Sequence, residues 1–401
     1  MKRQYSIVIA GAGVVGLTLA ALLLKSRSRN NLKITIVDGV DEPGFSIADD
    51  IALRVSAISS GSAEILSQCD SWHRMTQERI CGYSEMRVWD STGAVEGPET
   101  LHFSASEYAL SELGFIVENS MIQSALLEAL QAARQSVSFN SAIRSVDRCE
   151  SGYSVKLSNG SRLQPDLLIG ADGGASFVRK QAGIVVDGWA YNQTAFVTHL
   201  VPEISHGNTA WQRFLPAGPI ALLPLKDGRV STVWTTTPEE AERAKTLSDD
   251  DLADELTANS DAVLGRLTPS GPRGAFPLRA QHSKEYVRRG LALIGDAAHS
   301  VHPLAGQGAN LGISDAACLA GLVDEAIANG EHIGDYRVLR RYERARKGSN
   351  QTMLHFIDGI NRLFGATSPA VSTLRSTGMR LFNRAGPLRD HAVKVALGLT
   401  K

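Results

Sequence analysis

Residues 5–25 read YSIVIAGAGVVGLTLAALLLK, and the fold turns on how that stretch is divided. Tyr5 to Ala10 is an apolar run of the kind buried on both faces in a parallel sheet, and Val14 to Lys25, rich in Leu and Ala, reads as a helix. Between them lies Gly11-Ala-Gly13-Val-Val-Gly16. Glycines at this spacing permit a tight turn, a close backbone approach to a pyrophosphate, and close packing of helix on strand. The helix start adds amide donors and a positive dipole end. The basic opening followed by an apolar run superficially resembles a secretory signal. The three glycines inside the run and its clean division into strand, turn and helix argue against that reading. No other window holds the roughly 20 uninterrupted apolar residues of a spanning helix, so a soluble or peripherally bound protein is expected.

Moving outward, a polar loop over 26–31 leads into a second strand over 33–38, which makes a βαβ start. Asp38 falls at the end of that strand, 22 residues after Gly16, where a carboxylate can accept the hydroxyls of an adenosine ribose. An acid there favours an unphosphorylated ribose, as in FAD or NAD. Residues 119–134 carry helical spacing, while 153–157 and 162–169 read as strands joined at Asn159-Gly160, a hairpin signal. Residues 191–237 alternate as a separate antiparallel sheet. The acidic stretch 238–256 suggests one or two exposed helices with Ser248 as an N-cap. Residues 291–294 return to a buried strand, a helix follows over 309–329, and the chain from 335 onward is helical.

Composition narrows the function. The chain has 401 residues, which points to two joined lobes, and 43% hydrophobic residues, which excludes a disordered chain. With 41 Lys+Arg against 42 Asp+Glu it is not a globally basic nucleic-acid binder. Four cysteines with no CxxC pair fit free thiols in a reducing compartment and argue against structural zinc. His299 and His302 are three apart, but no further ligand sits at metal-site spacing, so packed histidines are expected and no metal is assigned.

Two further motifs follow the first. Asp166-Leu-Leu-Ile-Gly170-Ala-Asp172-Gly173 is an apolar strand ending in a small-residue turn with one carboxylate, then Ser176 and Arg179. Leu291-Ala-Leu-Ile-Gly295-Asp296-Ala-Ala-His299 delivers a second carboxylate to the start of a turn, where it can accept hydrogen bonds from the ribityl hydroxyls of a flavin. A dehydrogenase that only binds NAD has no need of either. A flavin-dependent halogenase would want a WxWxIP-type element, whereas the tryptophans at 72, 89, 189, 211 and 234 are isolated.

In this order and spacing the three motifs resemble the aromatic-ring hydroxylases of the flavoprotein monooxygenase class. His302-Pro-Leu-Ala-Gly306-Gln307-Gly308-Ala-Asn310-Leu-Gly312 with Asp315 is similar to the signature of the ubiquinone-biosynthesis FAD-dependent hydroxylases. Leu53-Arg54-Val-Ser-Ala-Ile58 and Val117-Glu118-Asn119 also resemble that family. The resemblance implies an α/β fold in which a Rossmann-type FAD domain of the p-hydroxybenzoate-hydroxylase type is joined to an antiparallel-sheet substrate domain and a helical C-terminal segment. The expected boundaries are 1–75, 100–185 and 275–334 for the discontinuous FAD domain, 76–99 and 186–274 for the substrate domain, and 335–401 for the basic helical segment. It further implies that Arg54 and Asn119 touch the FAD, that Asp172 with Gly173 lies near its pyrophosphate, and that Gly295-Asp296 holds the ribityl chain. Pro303, Gly306, Gly308 and Asn310 complete the implied cofactor-binding set.

Aromatic hydroxylation by a flavin needs reduction by a nicotinamide, capture of oxygen as a C4a-hydroperoxide, and transfer of its distal oxygen to an electron-rich ring. Gly306, Gln307 and Gly308, at a helix start, can direct amides at the negative charge on the reduced flavin. No acid–base pair is evident from spacing, so no catalytic side chain is assigned. Trp211, Phe214 and Trp234 could wall a substrate pocket, although ordinary core packing suits each of them better. NAD(P)H is expected as a transient reductant, because FAD occupies the sole dinucleotide fold. The implied substrate is a polyprenylated phenol or quinol, and the tract 339–347 resembles the branch acting at C5. A non-catalytic flavin-binding subunit that organises a quinone-biosynthesis complex is the alternative from another class. Residues 335–401 carry 13 Lys+Arg against 4 Asp+Glu, about +9, beside apolar stretches. That charge suggests a cytoplasmic protein peripheral at the inner membrane face or docked to partner enzymes.

Overall fold

The computed structural model describes residues 3–150, 152–301, 307–366 and 368–398. Tyr5–Ala10 forms a strand with almost every residue buried, paired in parallel with Leu32–Val37 on one side and Leu167–Gly170 on the other. The six-stranded sheet runs Val287–Arg288, Leu291–Leu293, Leu167–Gly170, Tyr5–Ala10, Leu32–Val37, Val137–Ser138. Only the edge strand Val287–Arg288 is antiparallel within it. Val14–Lys25 is a helix as expected and packs with the helices Asn119–Ala132 and Gln307–Ala328. Their apolar faces and the sheet share one large core that includes Leu17, Leu19, Ile122, Leu126, Ile313 and Leu319.

A nine-stranded sheet forms the second lobe, with Val186–Pro202 paired to both Gly274–Ser283 and Val230–Thr236. It continues through Gly218–Pro224, Thr209–Leu215, Glu85–Asp90 and Leu101–Ser104, the Thr209–Leu215 and Glu85–Asp90 pair being parallel. Three segments pair across the expected boundaries. Leu101–Ser104 and residues 275–283 fall within the expected FAD lobe, yet their backbone hydrogen bonds go to the large sheet. Cys81–Tyr83, assigned to the substrate lobe, instead pairs with Gly114–Glu118 in a three-stranded sheet with Val55–Ser59. Ladder partners far away in sequence, rather than local pattern, decide membership of a sheet.

The strand expected over 162–169 is also two strands. Arg162–Leu163 belongs to a hairpin sheet with Gly152–Leu157, while Leu167–Gly170 enters the central sheet. Pro165 lies between them, with no N–H to donate and a bias against continuing the ladder. The acidic stretch forms two helices, Pro238–Thr246 and Asp249–Asn259, capped by the side chains of Thr237 and Ser248. They are not wholly exposed, since Ala241, Ala244, Leu252 and Leu256 are buried in the core of the second lobe. The chain ends in three helices, Tyr336–Gly365, Pro369–Arg384 and Gly386–Ala396.

Candidate functional site

The glycines of the first turn divide into two kinds. Gly11 has φ +107°, and a Cβ there would lie 2.3 Å from the Ala171 carbonyl oxygen, while one on Gly16 would lie 2.1 Å from the Gly11 carbonyl oxygen. Both positions are closed by the protein itself, one by the neighbouring strand end and one by the turn. A Cβ on Gly13 would meet no atom within 4 Å, and Gly13 lines a large cavity. Asp38 sits at the end of the second strand, where its carboxylate accepts the amides of Ala12 (2.6 Å) and Val40 (3.1 Å). It thereby braces the turn, with lone pairs left over for a hydroxyl donor.

Asp172 stands in the turn beside Gly173. Its two oxygens accept from the Ser176 hydroxyl and the Val178 amide, so the carboxylate closes the start of the short helix Phe177–Gln181. Gly173 and Gly174, not Asp172, line the cavity. The buried Arg179 donates to the carbonyls of Gly174 (2.7 Å) and Ala297 (2.8 Å) and so ties the second motif to the third. Gln281 donates to the Gly174 carbonyl (2.7 Å) and reinforces the same junction.

In the third motif Asp296 opens into the cavity. Its surface is accessible from the cavity, yet crowding by the protein around it raises its carboxyl above the usual range, and His299 and Arg54 only partly offset that. The turn beneath it is held from behind. Asp315, fully buried in helix Gln307–Ala328, accepts from the Gly295 amide (3.1 Å), Arg346 Nε (2.7 Å) and Asn350 Nδ2 (3.1 Å), and its Oδ2 lies 2.6 Å from His299 Nε2. His299 is thus a packed histidine, and among the described residues no group of three or more His, Cys, Asp and Glu side chains could hold a metal ion.

Arg54 and Asn119 lie together on the cavity wall, where the Asn119 amide donates to the Arg54 carbonyl (3.1 Å) and Asn119 Oδ1 accepts from Ser56 (2.6 Å). Glu118 faces the other way. It makes a two-point pair with Arg79 (2.8 and 3.0 Å) and accepts the Ala52 amide, which fixes the loop that presents Arg54. Asn310 lines the cavity but directs its amide at the backbone of Ser59 and Ala57. Gly308, at the start of its helix, lines the cavity with open space where a Cβ would be. Pro303 and Gly306 lie outside the described residues, as does His302, and of Gln307 only its place as the first residue of the helix is described.

Of the three aromatics that could wall a pocket, Phe214 does so, while the other two are packed as core residues are expected to be. Trp234 is buried in the core with Phe196, and Trp211 packs edge-on to Trp89. Sequence reasoning missed the C-terminal contribution to the site. Met353, Ile357, Ile360, Met379 and Phe382 all line the same cavity of about 2090 Å³. The helical apolar spacing at 353, 357 and 360 was the available signal.

The chain matches the family model for an FAD binding domain over residues 4–356. It is 35% identical to the 3-demethoxyubiquinol 3-hydroxylase of Escherichia coli strain K12, covering 99% of this chain and 100% of that one. It is 33% identical to the mitochondrial ubiquinone biosynthesis monooxygenase COQ6 of Xenopus tropicalis, over 98% of this chain and 93% of the other. The chain belongs to the FAD-dependent hydroxylases of ubiquinone biosynthesis. The fold agrees. The solved structure of p-nitrophenol 4-monooxygenase PnpA from Pseudomonas putida DLL-E4 superposes with a TM-score of 0.77 at 17% identity, covering 99% of each chain.

As a member of this family the chain is a flavoprotein monooxygenase whose cofactor is FAD. The residues present fit that group. Gly13, Gly173 and Gly308 each border the cavity with no protein atom within 4 Å of a built Cβ, so the space these glycines leave open is not filled by protein. The helix starts at Val14 and Gln307 both meet this cavity, and the cation of Arg54 and the carboxylate of Asp296 supply charged donors and acceptors on its wall.

Proposed function

We propose that this chain hydroxylates the aromatic ring of a polyprenylated phenol or quinol intermediate on the way to ubiquinone. The observation that carries the reading is that one cavity joins the dinucleotide cradle at Gly13 to an apolar chamber at Phe214, Met353 and Ile357. A single space can therefore hold a flavin and an apolar aromatic substrate together. The bound flavin supplies the oxygen chemistry by way of its C4a-hydroperoxide, after reduction by transiently bound NAD(P)H. The side chains then have three tasks: holding the cofactor, aiming amides at the charge it gains, and keeping water out.

In this reading the amides after Gly13 and the Asp172-Gly173 turn lie at the pyrophosphate, Asp38 accepts from the adenosine ribose, and Asp296 accepts from the ribityl chain. Arg54 and Asn119 contact the cofactor from the opposite wall, and Gly308 borders the flavin. Asp296→Ala is expected to weaken FAD retention by about 1.5–3 kcal/mol, the worth of a hydrogen bond to a charged group. Flavin content after dilution of the purified protein measures this, and a variant that stays fully loaded removes Asp296 from the site.

The ring position is read as C5, from the resemblance of the tract 339–347. The full-length similarity to an E. coli enzyme named for hydroxylation at position 3 favours a second reading in which this chain acts there. Product analysis in strains lacking either hydroxylase separates them: restored ubiquinone in the C5-deficient strain alone supports the first reading, and in the other strain alone the second.

The reading includes attachment at the cytoplasmic face of the membrane. No helix among the described residues is long and apolar enough to cross a membrane. Phe356, Leu374 and Leu381 are exposed on the C-terminal helices, which also carry the exposed Lys394 and an exposed Arg362 paired with Asp358. The +9 of this segment is partly spent elsewhere, since Arg341 pairs with Glu331, Arg346 with Asp315, Arg375 with Asp90, Arg380 with Glu99 and Arg389 with Glu107. Among the described residues, no ion pair joins this segment to the acidic 238–256 stretch. That stretch pairs locally, through Arg243, Arg266 and Arg273. Binding to vesicles is expected to require anionic lipid, to weaken with salt, and to fall further in a Leu374→Asp, Leu381→Asp variant. Equal binding to neutral and anionic vesicles would rule out electrostatic docking.

A further inference from the structure

The large sheet turns an apolar face to the cavity, with two exceptions. On the strands Glu85–Asp90, Leu101–Ser104, Thr209–Leu215, Gly218–Pro224, Val230–Thr236 and Val186–Pro202, the described residues that line the cavity are all apolar except Gln212 and Ser231.

Gln212 sits opposite Ala221 on one neighbouring strand and Val88 on the other. Ala210 and Phe214, two residues away along its own strand, share its face and line the cavity too. The alanines leave room around the amide, while Phe214 and Val88 belong to an apolar cluster with Ile357 and Met379. On the other side, Leu223 lines the cavity two residues beyond Ala221 and packs with Val55 and Ala57, next to Arg54 in the chain. Gln212 therefore stands on the floor between the cofactor wall and the apolar chamber.

A buried polar group that lacks a partner is costly. Gln212 retains only 7% of its surface, and no described residue bonds its side-chain amide. Its donors and its acceptor are left for whatever occupies the cavity. Ser231 differs, because it is wholly buried and its partnerless hydroxyl is closed off. Arg375 borders the same chamber from the helices, but its charge is spent on Asp90.

We propose that Gln212 recognises an oxygen substituent on the substrate ring and thereby selects phenols over rings that lack one. The proposal rests on the phenol or quinol reading above and names the side chain that takes the ring oxygen. A primary amide offers two N–H donors and an acceptor oxygen, and a phenolic hydroxyl both donates and accepts, so the two satisfy each other without a charge. A ring carboxylate would want a cation on this floor, and the strands named above bring none to the cavity. In an apolar space such a contact discriminates strongly, since a ring without the hydroxyl displaces water and leaves the amide unpaired.

The test titrates FAD-loaded full-length protein with 2-prenylphenol and with prenylbenzene, which lacks only the hydroxyl, and follows the change in flavin absorbance. The unaltered protein is expected to prefer the phenol by at least about thirtyfold. In Gln212→Leu, similar in size and without an amide, the preference is expected to fall to about threefold or less, through weaker phenol binding and undiminished prenylbenzene binding. Ser231→Ala removes the closed-off hydroxyl and is expected to leave the preference within about twofold of the parent. Retained flavin absorbance reports folding, and Gln212→Met decides if the leucine variant loses its flavin.

An unaltered protein that binds both ligands alike overturns the assignment and leaves the hydroxylase reading standing. So does a preference that survives in the folded Gln212 variant, including one in which both ligands weaken equally, and so does a preference lost in Ser231→Ala instead. Ligands that never perturb the flavin overturn the substrate reading on which the proposal rests.

Discussion

Asp315→Ala is expected to destabilise the protein by about 3–5 kcal/mol, the cost of breaking a buried ion pair by removing one partner. Asp315 is fully buried and gathers Arg346, Asn350, His299 and the Gly295 amide onto one carboxylate. Its loss leaves the Arg346 guanidinium without its carboxylate and frees the turn that carries Asp296. Urea unfolding measures the first effect, and the temperature at which FAD fluorescence is released measures the second. Asp315→Asn, which keeps an acceptor and the volume, is expected to fall between the alanine variant and the parent. An alanine variant with unchanged midpoints in both assays would show that the network does not hold the site.

The same carboxylate sets an acid limit. Burial alone would raise its pKa, but the charge and hydrogen bonds of His299, together with Arg346, outweigh burial and hold it at about 2, below its ordinary 3.8. A carboxylate depressed on folding contributes stability that is fully present above its ordinary pKa and is lost as pH falls through the folded value. Flavin release and loss of stability are therefore expected between about pH 4 and pH 2, with a shallower profile in Asp315→Asn.

Arg375→Ala carries the second large effect, again about 3–5 kcal/mol. Arg375 is buried, bonds Asp90 in the large sheet at 2.6–2.7 Å, and donates to the carbonyls of Leu363 and Phe364 at the end of the preceding helix (3.1 Å each). Its guanidinium lies 5.2 Å from the Phe364 ring centre, and Phe364 stacks on Phe214 at 3.9 Å. One side chain thus fastens the C-terminal helices to the substrate sheet. Asp90 is left buried without its cation in the variant, so the helices are expected to open, with faster proteolysis of the segment after 335 and a lower thermal midpoint. Combining Arg375→Met with Asp90→Leu removes both charges and is expected to recover much of the loss. A double variant as unstable as the sum of the singles would mean the two residues act separately.

Much of the cofactor lobe was legible because its signals are local. The helix at Val14–Lys25 and the strand at Tyr5–Ala10 lie where periodicity puts them. The cap at Ser248 and the hairpin at Asn159-Gly160 depend only on neighbouring backbone geometry, and both are present. The C-terminal helices were legible as helices, but not as the roof of the site. Their apolar stripe is equally compatible with a membrane surface, a partner or a cavity, and only the location of the opposing wall at Met86, Val88 and Phe103 distinguishes these.

Sequence by itself determined the dinucleotide turn, since the φ of +107° at Gly11 and the Gly11 carbonyl that closes Gly16 belong to the turn itself, and it determined the order of the three motifs. Tertiary structure alone decided what each polar group does. Asp172 and Asp296 look alike on paper, each a carboxylate after a buried strand and a glycine. One is consumed by Ser176 and the Val178 amide, and the other opens onto the cavity. Asn310 is spent on residues some 250 positions away, and Arg346 reaches back to Asp315. The physical reason is range. Backbone sterics and capping act over a few residues, so they are written in the sequence at the place where they act. Desolvation and the pairing of buried polar groups depend on which distant segments pack together, and they exist only once the chain has folded.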